Sequence, residues 1–172
     1  MIQIYSNSLG KEELNAVKDV FNSKWLGKGP KTEEFIKKFS RKLILENHNS
    51  VAFISPKEDN FLTINSCTEG IFQIIEFLDI KQGDEVILPS ISFVGVANAI
   101  VNPSLEHIQE KITNNTKAVI VLHYAGVPCD IKSISNLCQE KSIYLIEDNA
   151  NSPFSYVGGK STGLYGDFGV WS

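Results

Sequence analysis

Hydroxyl side chains stand at the start of a predicted helix, in residues 65–70 (NSCTEG). The first turn of a helix offers unpaired backbone N–H groups and a partial positive charge. Together with the hydroxyls of Ser66 and Thr68, such a place can hold a phosphate group. The commoner role of Ser or Thr at this position is to cap the helix. Taken alone, the segment favours a cap over an anion site.

Two adjacent carboxylates, Glu147 and Asp148, directly follow an apolar predicted strand. A carboxylate buried there is costly unless it has a partner. Neighbouring residues of a strand point to opposite faces, so only one of the two should face a ligand. Asp148 can hold a cation, a metal or a protonated ring nitrogen. It can equally cap the turn that follows.

Two ring side chains follow other predicted strands. Phe93 comes after the strand at 85–88 and could stack on a flat ring, although a core position is the better interpretation of a lone Phe. His123 follows the strand at 118–122. A lone His beside a strand is usually structural, so His123 is only a secondary candidate for a pocket.

Residues 157–163 (VGGKSTG) contain a Gly-Lys-Ser-Thr run that is similar to part of a nucleotide-binding P-loop. Phe154 occupies the place of the first glycine of that pattern, and no strong strand precedes the run. The G-x-G-x-x-G pattern of dinucleotide-binding folds is absent as well. We interpret the segment as a polar loop with an exposed Lys160.

The remaining pattern predicts the elements that position these residues. Helices are predicted where apolar side chains recur on one face, over residues 11–22, 32–46, 68–78, 94–101, 105–112 and 131–141. Short apolar runs predict strands at 61–64, 85–88, 118–122, 143–146 and from Phe168. Apolar strands that alternate with helices indicate a mostly parallel sheet covered on both faces. The predicted fold class is α/β with three α/β/α layers, in which ligands bind beyond the carboxyl ends of the strands.

Composition narrows the function classes. The 172 residues fit one domain with a core, and the net charge of -4 argues against nucleic acid or an anionic membrane as the main partner. The three cysteines, Cys67, Cys129 and Cys138, indicate neither a disulfide framework nor a zinc site, so no metal is expected. They fit a reducing cytoplasm. Neither a signal peptide nor an apolar run long enough to span a bilayer is recognisable.

The order of these segments carries more information than any one of them. The runs that matter are 66–68 (SCT), 83–90 (GDEVILPS), 92–94 (SFV), 123–126 (HYAG), 147–148 (ED) and 166–172 (GDFGVWS). Trp25-Leu26 with Gly29-Pro30 adds a further segment near the amino end. In this order they resemble the DegT/StrS-type sugar aminotransferases, fold-type-I enzymes that use pyridoxal 5′-phosphate (PLP). The resemblance covers nearly the whole chain.

The resemblance implies which residues hold the phosphate of PLP. Thr68, with the backbone of Cys67 and Glu69, should bind it, and Ser172 should contribute a second hydroxyl. The family usually has Gly-Thr-Ala at 67–69, so Cys67 and Glu69 are departures. The Glu69 side chain must turn away from the phosphate, because its charge would otherwise weaken the site.

It also implies which residues hold the ring. Phe93 should stack on the pyridine, Asp148 should pair with the pyridinium nitrogen, and Asn151 should lie near the ring hydroxyl. The family commonly has Gln or His at 151, and Asn is shorter. PLP accepts electrons through a protonated ring nitrogen, and a nearby carboxylate raises the pKa of that nitrogen.

Some features of the family have no counterpart in this sequence. Its Schiff-base lysine lies beyond the position of Ser172, so no catalytic residue is assigned here, and Lys160 is on the wrong side of the motif. The family has a further strand after residues 97–101. Because losing it would expose the edges of its neighbours, we favour omitted residues or a truncated chain over a true deletion as the interpretation of this gap. We assign 1–50 to an N-terminal helical segment and 51–172 to part of the PLP-binding large domain, without the C-terminal small domain.

The function implied by the resemblance is amino transfer, with glutamate as donor, to a nucleotide-linked keto-sugar in polysaccharide or glycan biosynthesis, by a cytoplasmic homodimer. One alternative is a PLP-dependent sugar dehydratase of the same family, which carries His in place of the lysine. Another is a non-catalytic fragment or regulator with the same fold.

Overall fold

The computed structural model describes residues 8–45, 57–89 and 104–172. Five helices lie in these ranges: Lys11–Ser23 (α1), Pro30–Leu45 (α2), Cys67–Phe77 (α3), Leu105–Lys111 (α4) and Ile131–Lys141 (α5). The strands are Glu85–Ile87 (β1), Thr116–Leu122 (β2), Tyr144–Asn149 (β3), Tyr156–Val157 (β4), Lys160–Ser161 (β5) and Phe168–Trp171 (β6). Short 3₁₀ turns occupy Glu58–Asn60 and Tyr124–Gly126.

One parallel sheet with the order β1-β2-β3-β6 forms the centre. Its two faces pack against different helices. Val119, Val121 and Leu145 belong to a core shared with α4 and α5. Ala118, Ile120 and Ile146 pack against apolar side chains of α3 on the other face. The predicted three-layer α/β/α class is therefore confirmed.

The register aligns the carboxyl ends of three neighbouring strands. Leu122 at the end of β2 pairs with Asp148 of β3, and Asp148 pairs with Val170 of β6. The backbone N–H of His123 donates to the carbonyl of Asp148 at 3.1 Å, which continues the ladder past β2. Side chains that follow or end these strands are consequently brought to one edge of the sheet.

Most predicted elements are confirmed, with ends within one to three residues, and two are wrong. Residues 61–64 form no strand in the described chain. Phe61 packs instead with its ring 6.2 Å from that of Trp171, whereas Leu62 is exposed. Residues 157–163 are not a plain loop, because β4 and β5 form an antiparallel hairpin. Its turn is Gly158-Gly159, both with positive φ as a tight two-residue hairpin requires. The predicted helix at 94–101 lies outside the described residues.

Helix α2 packs onto the sheet through aromatic contacts. The Phe39 ring lies 5.5 Å from that of Phe154 and 5.8 Å, edge to face, from that of Trp171. The assigned boundary at residue 50 falls outside the described residues. Within the described ranges no helix is long and apolar enough to cross a membrane.

Candidate active site

The adjacent carboxylates Glu147 and Asp148 face opposite sides of the sheet. Glu147 is fully buried on the α5 side, whereas Asp148 is half-buried on the α3 side. The alternation of a strand causes this, since Leu145 and Glu147 share one face and Ile146 and Asp148 share the other. The expectation that the two carboxyl groups point to opposite faces is therefore confirmed.

Asp148 is both a turn residue and an unusual carboxyl group. Its Oδ1 accepts a hydrogen bond from the backbone N–H of Ala150 at 2.9 Å, so it does cap the turn after β3. Burial nevertheless raises its pKa, and this outweighs the Ala150 N–H and the nearby His123, which both lower it. A cation on the α3 side would stabilise the ionised form of this carboxyl.

The start of α3 keeps part of its donor capacity open. The Ser66 hydroxyl accepts from the N–H of Glu69 at 3.1 Å, so the cap interpretation is confirmed for Ser66. The backbone N–H of Glu69 is therefore already paired. The N–H groups of Cys67 and Thr68 have no acceptor within the helix. The carboxylate of Glu69 accepts from Gln73 Nε2 at 3.0 Å and so turns along the helix.

Helix α3 begins on the same side of the sheet as Asp148. Gly70 in its first turn packs against Val170, the ladder neighbour of Asp148; a Cβ at Gly70 would lie 3.1 Å from Val170 Cγ1. Burial raises the pKa of the Cys67 thiol to about 11, and the charge of Asp148 contributes to that rise. The open N–H groups and the Asp148 carboxyl therefore border one region at the ends of β3 and β6.

The other predicted cofactor ligands lie at this edge or outside the described residues. Ser172 directly follows β6 and is exposed. Asn151 is exposed in the turn that follows β3. Thr68 is exposed at the start of α3. Phe93 lies outside the described residues.

His123 and Glu147 form a buried pair that sequence reasoning did not find. His123 Nε2 lies 3.0 Å from Glu147 Oε2, and neither side chain is exposed. His123 does not line an open pocket, which corrects its secondary assignment. The two residues are 24 positions apart, so their contact depends on the pairing of β2 and β3.

Cys129 Sγ lies 3.8 Å from His123 Nδ1. Cys129, His123 and Glu147 are therefore arranged like a nucleophilic triad. Burial, together with the charge of Glu147, raises the pKa of the Cys129 thiol to about 12. A thiolate is the nucleophilic form, so this thiol is unreactive near neutral pH. The arrangement is structural.

Lys160 is half-buried, contrary to the expectation of an exposed side chain. Its Nζ lies 4.4 Å from the centre of the Tyr165 ring, and burial lowers its pKa. Among the described residues, no group of three or more His, Cys, Asp or Glu could hold a metal ion. An apolar groove of about 220 Å³ lies between α2 and Phe154, but none of the predicted cofactor ligands lines it.

Comparison with known proteins gives relatives over the whole chain. The chain is 39% identical to dTDP-4-dehydro-2,3,6-trideoxy-D-glucose 4-aminotransferase of Saccharopolyspora spinosa, covering all of this chain and 46% of that protein. The alignment extends over 188 residues, more than the 172 of this chain, so the relative has residues without a counterpart here. The chain therefore spans about half the length of the curated relatives it matches.

Solved structures give the same result. The aminotransferase TlmJ from Streptoalloteichus hindustanus matches all of this chain and 48% of its own, with a TM-score of 0.87 and 41% identity. The PLP form of Spr1654 from Streptococcus pneumoniae matches 99% of this chain and 48% of its own, with a TM-score of 0.76; at 24% identity it supports the fold alone. The profile of the DegT/DnrJ/EryC1/StrS aminotransferase family matches residues 7–172, and the chain belongs to that family.

Proposed function

We propose that the full-length protein is a PLP-dependent aminotransferase that transfers an amino group, with glutamate as donor, to a nucleotide-linked keto-sugar. Membership of the aminotransferase family and the relative that acts on a dTDP-linked sugar support this reaction class. One structural observation carries the proposal. The Asp148 carboxyl and the open amino end of α3 lie on the same side of the sheet, at the ends of β3 and β6.

The donor set at the start of α3 fits a phosphate. Two open N–H groups, of Cys67 and Thr68, coincide with the positive end of the helix. The hydroxyls of Thr68 and Ser172 would add further donors. Because Glu69 is bonded to Gln73, its charge is directed along the helix. This orientation supports the proposal, because the side chain of Glu69 is turned as a phosphate site there requires.

Asp148 fits the role of holding a proton on a pyridine nitrogen. Its carboxyl is half-buried, and burial disfavours the charged form unless a cation lies beside it. A protonated ring nitrogen supplies that cation, and the carboxylate in turn raises the pKa of the nitrogen. When bound, PLP supplies an electron sink for the amino-group transfer. Asn151 near the ring hydroxyl and Phe93 on the ring face complete the proposed site.

We also propose a homodimer that works in the cytoplasm. Helix α1 has an exposed apolar face, with Leu14, Val17 and Phe21 at 67%, 51% and 63% exposure, and such a face suits burial in an assembly. The three cysteines are free and buried, which suits a reducing compartment. The proposed partners are the sugar nucleotide and the amino-acid donor.

Absorbance of the full-length protein mixed with PLP, before and after borohydride, tests the proposal. We expect a cofactor band that borohydride fixes to the protein, and glutamate-dependent amination of a nucleotide-linked keto-sugar detected by mass spectrometry. Asp148→Asn is the matched variant and should lose amination. Uptake of PLP that borohydride does not fix would favour the dehydratase. Absence of PLP uptake by the wild type would refute the proposed function.

A further inference from the structure

We propose that Glu147, which is held by His123, is a positioning residue. It sets the direction of the Asp148 side chain and the position of β6, the strand that Ser172 follows. This inference rests on the proposed function, because it assigns Glu147 a task only if Asp148 holds the cofactor ring. Glu147 itself faces away from that side of the sheet and touches no reacting atom.

Four N–H groups of the described chain converge on the Glu147 carboxylate. Its Oε1 accepts from the backbone N–H of Tyr165 and of Gly166, both at 2.6 Å. Its Oε2 accepts from the N–H of Gly163 at 2.8 Å and lies 3.0 Å from His123 Nε2. The three backbone donors come from the segment that leads from the β4–β5 hairpin into β6.

The imidazole of His123 has a defined tautomer in this arrangement. The backbone N–H of Cys129 can only donate, and it points to His123 Nδ1 at 3.4 Å. We therefore assign Nδ1 as the acceptor and the ring proton to Nε2, from which it points to Glu147. His123 thus joins the end of β2 to the carboxylate of β3.

The carboxylate consequently joins the end of β2, strand β3 and the segment 163–166 that leads into β6. Adjacent residues of β3 share one backbone, so holding the Glu147 side chain on the α5 face also fixes the direction of Asp148 on the α3 face. Gly163 is held closely as well: it has φ of 85°, and a Cβ there would lie 2.7 Å from Asn149 Nδ2. Loosening Glu147 should therefore disturb both Asp148 and β6.

The position requires a carboxylate. A carboxylate only accepts hydrogen bonds and has lone pairs for four donors, whereas the amide of Gln replaces one accepting oxygen with an NH₂ donor. In Glu147→Gln, that NH₂ group would face at least one N–H donor. An unpaired buried donor is costly, so the segment 163–166 should move away from β3.

The test uses the full-length protein saturated with PLP that carries ¹⁵N in its pyridine ring. The nitrogen chemical shift reports whether the ring nitrogen is protonated beside Asp148. Asp148→Asn should lose the protonated signal. Glu147→Gln, which keeps Asp148, should move the signal toward that of Asp148→Asn and weaken PLP binding by about tenfold.

His123 provides a matched pair of variants in case Glu147→Gln does not fold. His123→Gln places an amide NH₂ near the former Nε2 and can still donate to Glu147, whereas His123→Asn is too short to do so. We expect the shift of His123→Gln to stay nearer to wild type than that of His123→Asn.

The outcomes separate the two proposals. A wild type that takes up no PLP would refute the proposed function and remove the premise of this inference. A wild-type complex whose nitrogen signal is unchanged in Glu147→Gln and in both His123 variants would overturn the positioning role alone. In that case any loss of thermal stability would show that Glu147 is merely structural.

Discussion

At the scale of single residues, two neighbouring carboxyl groups differ because the strand alternates. Glu147 is surrounded by N–H donors on a closed face, and Asp148 is half-buried on a face that borders open helix donors. The free-energy cost of burying the Glu147 carboxylate is offset by its hydrogen bonds to these donors. The raised pKa of Asp148 indicates that its burial is compensated only in part, as expected of a residue that awaits a cationic partner.

This difference predicts a gain of stability in Asp148→Asn. A carboxyl whose folded pKa is raised contributes stability that is present below its unfolded pKa and lost as pH rises through the folded value. The Asn amide oxygen can still accept from the Ala150 N–H. We expect urea unfolding of the PLP-free protein to give similar stabilities at low pH and a more stable variant at neutral pH. A variant less stable than wild type at neutral pH would contradict this sign.

The residue-scale predictions succeeded where a local rule applied. Opposite orientation of Glu147 and Asp148 follows from strand alternation alone. The role of Glu147 could not be predicted, because its donors lie at 163–166 and at His123, and only the folded sheet brings them to it. A polar residue after a strand shows that a partner must exist but not which one.

At the scale of elements, the amino end of α3 combines a helix cap with N–H groups for the proposed anion site. Ser66 supplies the cap, and the N–H groups of Cys67 and Thr68 have no acceptor within the helix. The apolar run at 61–64 suggested a strand, but these residues form no ladder: Phe61 packs against Trp171 of β6 and Ile64 lies against Gly70 of α3, whereas Leu62 is exposed. A short apolar run of four residues does not distinguish a paired strand from coil.

Substitutions of Ser66 should separate capping from anion binding. Ser66→Ala removes the acceptor for the Glu69 N–H and should lower the free energy of unfolding by about 1 kcal/mol. Ser66→Asp restores a good cap but places a negative charge beside the proposed phosphate. We expect Ser66→Asp to keep wild-type stability in urea unfolding and to bind PLP more weakly in absorbance titrations. Equal PLP affinity in Ser66→Asp and wild type would argue against a phosphate at α3.

Because α3 packs closely on the sheet, Gly70→Ala should lower the stability of the protein, although helix propensity alone predicts an increase. In an exposed helix, Gly→Ala stabilises. At Gly70 the new Cβ would crowd Ile64 Cδ1 and lie 3.1 Å from Val170 Cγ1, so we expect a loss of about 1–3 kcal/mol. Ile64→Val removes Cδ1, and the double variant should regain part of this loss in a urea-unfolding cycle. Additive effects would show that Ile64 does not limit the approach of α3.

At the scale of the whole molecule, the alternation of apolar strands and helices was sufficient to predict three layers. It did not predict the β4–β5 hairpin, since strands of two residues have no visible periodicity, although the Gly158-Gly159 pair is a known turn signal. The proposed site is assembled from residues about 80 positions apart, Thr68 and Asp148, that the parallel register brings to one edge. In the proposed site, each end of the cofactor would be held by a different element.

This division predicts separable ligand footprints in amide hydrogen exchange of the full-length protein. Inorganic phosphate should slow exchange at Cys67 and Thr68 and leave the end of β3 unchanged, because in the proposed site the phosphate group binds at the helix start. PLP should slow exchange at both, since its ring reaches Asp148. At a ligand concentration of about 100 times Kd, bound PLP should add roughly 2.7 kcal/mol to stability. In Asp148→Asn, the phosphate footprint should persist and the β3 footprint of PLP should fade. Identical footprints for phosphate and PLP in the wild type would mean that one element binds the whole cofactor.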